Sequence, residues 1–139
     1  DRLGDGARQV LVQPMVSPGL DLRIHVRVDD RIGPVITVGL GGVQADLIGD
    51  ETSRLAPISP SEARSLVAST RAAAMLDDES LEIVANVVSR IAQLASDHPE
   101  IAELDLNPVI VGDDGCRVVD ASITLRTPER PEPAVRRLE

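Results

Sequence analysis

The chain has 139 residues, a formal net charge of −9 and no Phe, Tyr or Trp, and every one of its 14 Lys-or-Arg positions is Arg. A chain of this length fits one domain. An acidic chain without aromatic stacking platforms is poorly suited to nucleic acid, so we expect no nucleic-acid partner and a preference for cations such as Mg²⁺. No apolar run reaches the roughly 18 residues of a membrane span, which predicts no membrane partner.

The single cysteine and the two ends of the chain suggest how it is organised. Cys116 has no second cysteine for an internal disulfide, and we expect a soluble, cytoplasmic protein. We interpret Cys116 as structural rather than nucleophilic, because it lies beside a turn without a recognisable histidine partner. The start at Asp1 rather than Met suggests a fragment. We predict three segments: a frayed N-terminal segment (1–8), a domain (9–125) and a disordered tail or linker (126–139).

The first half of the chain is patterned as β-strands. Alternating apolar and polar residues predict a half-buried strand over 21–28, whose polar face carries Arg23, His25 and Arg27. Shorter strands are predicted over 9–13, 35–38 and 43–48. The run Gly39-Leu40-Gly41-Gly42 indicates unusual backbone dihedrals or the close approach of another group. Two interpretations stay open for it: a glycine-rich hairpin between antiparallel strands, or a phosphate contact.

Two amphipathic helices follow the strands. Ser59 is a predicted N-cap, Pro60 occupies the first helical position, and Glu62 can complete a capping box. The second helix is predicted to begin near Asp77 or Asp78 and to end at His98-Pro99. With another pair of strands after it, the pattern predicts an α+β fold: an antiparallel sheet with two main helices on one face.

The last regular stretch is a predicted hairpin with strands at 104–111 and 116–125 and a turn at 112–115. If Val111 faces Cys116 in this hairpin, then Asn107 lies directly opposite Asp120. Directly opposed residues have Cβ atoms about 4.5–5.5 Å apart and project from the same face. The pairing therefore predicts that the Asn107 and Asp120 side chains are neighbours.

Alternation along the strand also places Asp105 on the face of Asn107. Together with Asp120, these side chains would offer two carboxylates and a carboxamide, the hard oxygen donors that Mg²⁺ prefers when water and substrate phosphates complete its coordination. The alternative from the residues alone is a solvated sheet face on which Asp opposite Asn has no role.

Several motifs, in one order over residues 9–125, resemble a known family. The segment Glu103-Leu104-Asp105-Leu106-Asn107-Pro108-Val109, followed by Asp120-Ala121, resembles the signature that closes the ATP-grasp domain of the NDP-forming acyl-CoA synthetases, relatives of the succinyl-CoA synthetase β subunit. Further matches lie upstream at Val12-Gln13-Pro14-Met15, Gly19-Leu20-Asp21, Asp29 with Gly33-Pro34, Gly39-Leu40-Gly41-Gly42, and Asp50, Arg54 and Pro57. The resemblance implies the C-terminal half of an ATP-grasp domain.

The resemblance also implies roles for individual residues. The predicted metal ligands are Asn107 and Asp120, and the predicted nucleotide-binding residues are Gln13, Pro14, Met15, Asp21, Gly41, Gly42, Arg54 and Asp105. Main chain around residues 13–15 would hold the adenine of ATP or ADP, and the two glycines would approach the phosphoryl-transfer region with its Mg²⁺. Arg54 is the candidate cation for phosphate, or alternatively an ion-pair partner of Asp50.

Some positions depart from the family pattern. Asp21 and Asp46 stand where the family has glutamates, Ile32 replaces an aromatic residue and Asp30 a proline. The N-terminal ATP-grasp lid, with its phosphate-binding lysine, lies outside the matched region, and the chain has no lysine to substitute. Because phosphoryl transfer depends on cations that neutralise charge, we expect no catalysis by this fragment alone. The expected partners are an adenine nucleotide, the missing lid and a CoA-binding or ligase domain in the same or a partner chain; a homo-oligomer is compatible with this arrangement.

Two functions are therefore considered. The first is the nucleotide- and Mg²⁺-binding half of an ADP-forming acyl-CoA synthetase, which interconverts acyl-CoA, ADP and phosphate with acid, CoA and ATP. The second is a non-catalytic regulatory or scaffold module fused to a protein lysine acetyltransferase. The family's phosphohistidine belongs to another domain, so His25 and His98 are interpreted as ordinary surface or packing histidines.

Overall fold

The computed structural model describes residues 12–42, 45–113 and 115–127, without the side chains of Asp46 and Leu47. The strands are β1 (Leu20–Asp29), β2 (Gly33–Leu40), β3 (Glu51–Leu55), β4 (Ile101–Gly112), β5 (Gly115–Val118) and β6 (Ala121–Leu125). The helices are α1 (Ala45–Ile48), α2 (Pro60–Ala68), a 3₁₀ helix (Arg71–Met75) and α3 (Asp78–Asp97).

The six strands form one antiparallel sheet in the order β3-β2-β1-β4, with β5 and β6 pairing one after the other along the far edge of β4. Alternate residues of the central strands are buried together with the apolar residues of α2 and α3 in one cluster of aliphatic side chains. Leu22, Ile24 and Val26 are the contribution of β1 to this cluster. The structure thus confirms the α+β fold with two main helices on one face of the sheet. We call the opposite, polar face the open face.

Both main helices begin where the sequence predicts. The Ser59 side chain accepts a hydrogen bond from the Glu62 amide, and the Glu62 side chain accepts one from the Ser59 amide, which completes the capping box. The Asp77 side chain caps α3 by accepting a hydrogen bond from the Ser80 amide, and α3 ends at Asp97 with His98 as its C-cap. These local signals were sufficient because each depends on residues within one turn of the helix end.

The predicted strand over 43–48 is wrong where the structure describes it, since Ala45–Ile48 is a single helical turn. Gly42 and Gly49 flank this turn with φ values of +75° and +59°, which favour glycine. The Gly49 amide donates to the Ala45 carbonyl at 3.0 Å. A short apolar run can form either a strand or a helix, and here the positive φ angles of the flanking glycines accompany a helical turn. The glycine-rich segment does connect two antiparallel strands, β2 and β3, but through this turn rather than as a tight hairpin.

Two further predictions differ from the structure. Val12 and Gln13 lie in no strand, and residues 9–11 of the predicted strand lie outside the described residues. Strand β3 was not predicted, because four of its five residues are exposed and it therefore lacks an alternating apolar pattern. The predicted N-terminal segment 1–8 and residues 128–139 of the predicted tail also lie outside the described residues. None of the helices that the structure describes has the length and apolar composition needed to cross a lipid bilayer.

The Glu62 capping contact predicts a pH-dependent contribution to stability. Hydrogen bonds from the Ser59 amide and then the Ser59 hydroxyl hold the pKa of Glu62 below its ordinary value of 4.5. A carboxyl whose pKa falls on folding stabilises the protein above its unfolded pKa and loses this effect as the pH falls through its folded pKa. We expect Glu62→Gln to lower the melting temperature at pH 7, and this difference to shrink below about pH 4.5. A difference between the two proteins that stays constant from pH 7 to pH 3 would contradict this account.

Candidate functional site

The C-terminal strands bring Asn107 and Asp120 together as the hairpin pairing predicts. Val111 lies opposite Cys116 on β5, and the same register continues with Leu106 opposite Ala121 on β6. Between these two ladders, the Asn107 amide donates to the Asp120 carbonyl at 3.2 Å. The predicted second strand is broken at residues 119–120. Pro108, which has no amide hydrogen to donate, lies opposite this break.

A β-bulge on β4 is located at this pair of residues. Leu22 of β1 pairs with Val109, whereas Ile24 pairs with Leu106, so Arg23 faces the two residues Asn107 and Pro108. The Asn107–Pro108 peptide bond is cis. Bulges bend a strand and redirect its side chains, and they are frequent beside functional sites.

The glycine-rich segment contacts Asn107 directly. The Gly42 amide donates to the Asn107 side-chain oxygen at 3.0 Å, and the Gly41 amide donates to the Asp21 carbonyl at 2.8 Å. A Cβ atom built on Gly42 would lie 2.9 Å from the nearer Asp21 carboxylate oxygen. The structure therefore brings four of the predicted site residues into contact: Asp21, Gly41, Gly42 and Asn107.

The predicted adenine-binding segment lines a groove beside β5. This groove has a volume of about 390 Å³ and is lined by residues 13–16 and 117–119, and we call it the hinge groove. Met15 is 97% exposed, so its side chain is not buried against the sheet. Val119 lines the groove and directly precedes Asp120 in the chain, whereas Asn107 and Asp120 do not line the groove themselves.

The donor set of Asn107 and Asp120 is suited to Mg²⁺ held together with phosphates. Asn107 is half-buried and Asp120 is exposed. One Asp120 carboxylate oxygen accepts from the Ala121 amide at 2.9 Å, which uses one of about four acceptor positions of the carboxylate. Among the described residues, no three His, Cys, Asp or Glu side chains are grouped so that they could hold a metal by themselves. Two protein oxygens completed by water and phosphate are the usual arrangement for Mg²⁺.

The remaining predicted residues have other partners. Both carboxylate oxygens of Asp105 accept from the Arg23 guanidinium, at 2.8 and 2.9 Å. Arg54 lies opposite Ile36, on the helix side of the sheet, and its guanidinium is 3.9 Å from Glu62 of α2. The structure does not bring Arg54 to the cluster around Asn107.

The ion pair between Arg54 and Asp50, one of the two interpretations from the sequence, is not formed. The Asp50 carboxylate is buried and accepts from the Arg71 and Ala72 amides at 2.8 and 2.9 Å, where it caps the 3₁₀ helix. Backbone amides at a helix start satisfy a buried carboxylate without a cation.

Comparison with known proteins decides the family. The sequence model for the ATP-grasp domain matches residues 2–125. The chain belongs to the ATP-grasp domain family. The ADP-forming acetate–CoA ligase I of Archaeoglobus fulgidus is 37% identical over 122 residues, which are 84% of this chain and 18% of that protein. The β subunit of the ADP-forming acetate–CoA ligase II of Pyrococcus furiosus is 33% identical over 126 residues, which are 84% of this chain and 53% of the subunit.

A solved structure shares both fold and sequence with this ATP-grasp chain. The dinucleotide-forming acetyl-coenzyme A synthetase 1 of Candidatus Korarchaeum cryptofilum, in complex with coenzyme A and Mg-AMPPCP, superposes with a TM-score of 0.74 at 36% identity. The match covers 80% of this chain and 55% of that one. The chain thus spans between about a fifth and just over half of the length of the relatives it matches.

A larger groove of about 1030 Å³ lies at the same end of the ATP-grasp sheet and was not anticipated from the sequence. Asp21 and Gly41 line it, and it extends over the start of α3 to Asp77 and Glu79. Neither Asn107 nor Asp120 lines this groove or the hinge groove. The predicted nucleotide-binding residues are divided between the two, with Asp21 and Gly41 in the larger groove and residues 13–15 in the hinge groove.

The histidines and the cysteine have ordinary structural surroundings. His25 lies 2.9 Å from Glu103, and His98 lies 2.9 Å from Glu100. Cys116 packs half-buried against the core, and burial raises the pKa of its thiol. A raised pKa disfavours the thiolate that a nucleophile needs, so the structure offers no support for a catalytic cysteine.

The ATP-grasp glycines lead to a testable prediction. A Cβ on Gly41 would lie 2.5 Å from the Leu22 carbonyl oxygen, closer than real contacts allow, so the backbone would have to move. We expect Gly41→Ala to destabilise the fold by about 1–3 kcal/mol, as overpacking does, and to disturb the adjacent Gly42 contact with Asn107. Chemical denaturation measures the first effect. Gly112, which has no positive φ and where an added Cβ meets nothing closer than the Pro18 carbonyl oxygen at 3.3 Å, is the control for changing a glycine in this sheet. Equal losses of stability for Gly41→Ala and Gly112→Ala would contradict the close-approach argument.

Proposed function

We propose that this chain is the nucleotide- and Mg²⁺-binding half of the ATP-grasp module of an ADP-forming acyl-CoA synthetase. The observation that carries the proposal is a path of contacts that joins Asp120, Asn107, Gly42 and Asp21. Val119, which directly precedes Asp120 in the chain, lines the hinge groove. A nucleotide is an elongated ligand with an aromatic base at one end and phosphates at the other, and this path has a matching order of groups.

Each part of the path has a defined task in the proposal. The exposed main chain at residues 13–15 holds the adenine base of ATP or ADP. Asn107 and Asp120 hold Mg²⁺, which when bound neutralises phosphate charge. The glycine-rich segment lies close to the phosphates, where its Gly42 amide orients the Asn107 side-chain oxygen, and Asp21 lies near the nucleotide beside Gly42.

The rest of the module completes the reaction in this proposal. A lid with a phosphate-binding lysine closes over the open face, and a CoA-binding or ligase domain, in the same or a partner chain, carries the acyl group. The whole enzyme converts acyl-CoA, ADP and phosphate to acid, CoA and ATP, reversibly. The relatives named for acetate–CoA ligase activity support this reaction class. The proposed location is the cytoplasm.

Assay of the full-length protein tests the function. We expect formation of ATP from ADP, phosphate and acetyl-CoA or another short acyl-CoA, and we expect EDTA to abolish it. Each reaction should yield one CoA per ATP. A full-length protein that binds Mg-ADP but forms no ATP with any acyl-CoA would contradict the enzymatic proposal and favour the regulatory alternative, as would an adjoining acetyltransferase domain in place of a histidine-bearing ligase domain.

A further inference from the structure

Arg23 of β1 projects from the open face next to the proposed metal ligands. Leu22 and Ile24, on either side of it, are buried beneath the helices, so alternation directs Arg23 to the open face. The bulge on β4 places Asn107 opposite it. The sequence predicted that Arg23 lies on the polar face of this strand, but it did not identify Arg23 as a site residue.

The Arg23 guanidinium engages Asp105 through both of its carboxylate oxygens. Nε donates to one oxygen at 2.8 Å and Nη2 donates to the other at 2.9 Å. About 26% of the Arg23 side chain and 29% of the Asp105 side chain are exposed, so the pair is half-buried. The Nη1 atom of Arg23 lies 4.0 Å from Glu51. A planar guanidinium that donates two parallel bonds fixes the direction of the carboxylate as well as neutralising it.

Asp105 is positioned to act as a third ligand if Arg23 did not hold it. It precedes Asn107 by two residues on the same face, a spacing of about 6.5 Å along a strand. Asp105 also lies opposite Ser122, and Ser122 follows Asp120 by two residues on the neighbouring strand. Two carboxylates near a cation give a local charge of −2, and the Arg23 guanidinium reduces this to −1.

Building on the proposed function, we propose that Arg23 is a specificity-determining residue that withholds the Asp105 carboxylate from the metal. Asn107 and Asp120 then bind a divalent cation weakly by themselves and strongly only when nucleotide phosphates supply the remaining oxygens. Arg23 thereby favours Mg²⁺, which accepts one or two protein oxygens together with phosphates and water, over cations that collect protein carboxylates.

Binding of Mn²⁺ alone, without nucleotide, to the full-length protein tests this role. We expect Arg23→Ala to tighten Mn²⁺ binding on the order of tenfold, because it exposes a unit negative charge about 6 Å from a divalent ion. Free Mn²⁺ can be measured by electron paramagnetic resonance. Arg27→Ala removes the same charge from the same face of β1 at an exposed position, and we expect it to leave Mn²⁺ affinity unchanged. The double variant Arg23→Ala/Asp105→Asn should return to the affinity of the unmodified protein.

The direction of the effect separates this role from a purely structural one. Loss of a merely structural ion pair would weaken Mn²⁺ binding or leave it unchanged, and either result in folded Arg23→Ala would overturn the inference. Arg23→Gln, which retains a polar side chain, serves the same test if Arg23→Ala does not fold. A gain in affinity that survives Asp105→Asn, or that persists when Asn107 and Asp120 are both alanine, would also overturn it.

Failure of this inference differs from failure of the proposed function. If Asn107→Ala/Asp120→Ala loses Mg-nucleotide affinity while Arg23→Ala shows no gain for Mn²⁺, only the role of Arg23 is overturned. If Asn107→Ala/Asp120→Ala keeps full Mg-nucleotide affinity, the proposed metal ligands are wrong, and the role of Arg23 is overturned with them.

Discussion

Replacing Asp50 with alanine is expected to destabilise the fold by about 3 kcal/mol, at the upper end of the penalty for leaving buried hydrogen-bonding groups without their partner. The Asp50 carboxylate is 6% exposed and accepts from the amides of Arg71 and Ala72. Its removal leaves two amides at the start of the 3₁₀ helix without their charged acceptor in a site that water does not readily fill. Hydrogen bonds to charged groups contribute about 1.5–3 kcal/mol each when they are lost in this way.

Urea denaturation of the protein and of two comparison variants measures this effect. Asp50→Asn keeps one side-chain oxygen as an acceptor and should lose about half as much stability. Glu79→Ala removes a carboxylate from the exposed first turn of α3, and a surface change of this kind is usually within about 0.5 kcal/mol. If Asp50→Ala and Glu79→Ala unfold at the same urea concentration at the midpoint, the capping role of Asp50 is wrong.

The combined substitution Asn107→Ala/Asp120→Ala is expected to lower the affinity of the full-length protein for Mg-ADP on the order of 100-fold. Each side chain offers one oxygen to the cation, and the loss of a charge-assisted contact costs roughly a factor of ten in affinity. The effect should depend on the metal. In EDTA, the double variant and the unmodified protein should bind ADP with equal, weak affinity.

Isothermal titration calorimetry provides the comparison, and Glu103 offers a matched control. Glu103 is an exposed carboxylate on the same strand, four residues before Asn107, and its partner is His25. Glu103→Ala therefore removes a charge from the same face without touching the proposed ligands, and we expect less than a twofold change. A similar loss for Glu103→Ala and for the double variant would mean that net charge, rather than coordination, governs the binding.

The sequence was most informative where a structural feature depends on neighbouring residues in the chain. The capping box at Ser59 and the register that puts Asn107 opposite Asp120 both follow from short-range rules, and both are confirmed. The strand β1 was identified because one of its faces is buried and the other is polar. Motif resemblance then identified the family, which periodicity alone could not have done.

Side-chain partners that are distant in the sequence were predicted incorrectly or not at all. Asp50 and Arg54 are close in sequence, but Asp50 caps a helix that begins 21 residues later, while Arg54 faces α2. The ion pair between Arg23 and Asp105 joins residues 82 positions apart. Only the alternation of β1 and β4 hinted at it, by placing both residues on polar faces. Strand β3 was missed because an exposed edge strand needs no apolar pattern.

The most direct test of the central claim is the position of the metal in a crystal of the full-length protein grown with Mn²⁺ and ADP. Anomalous scattering locates Mn²⁺ without reference to the surrounding density. The proposed site predicts a peak within about 2.3 Å of the Asn107 side-chain oxygen and of an Asp120 carboxylate oxygen, with the adenine in the hinge groove. A peak in the larger groove, between Asp77 and Glu79, with no density beside Asn107 would contradict the assignment of Asn107 and Asp120 as the metal ligands.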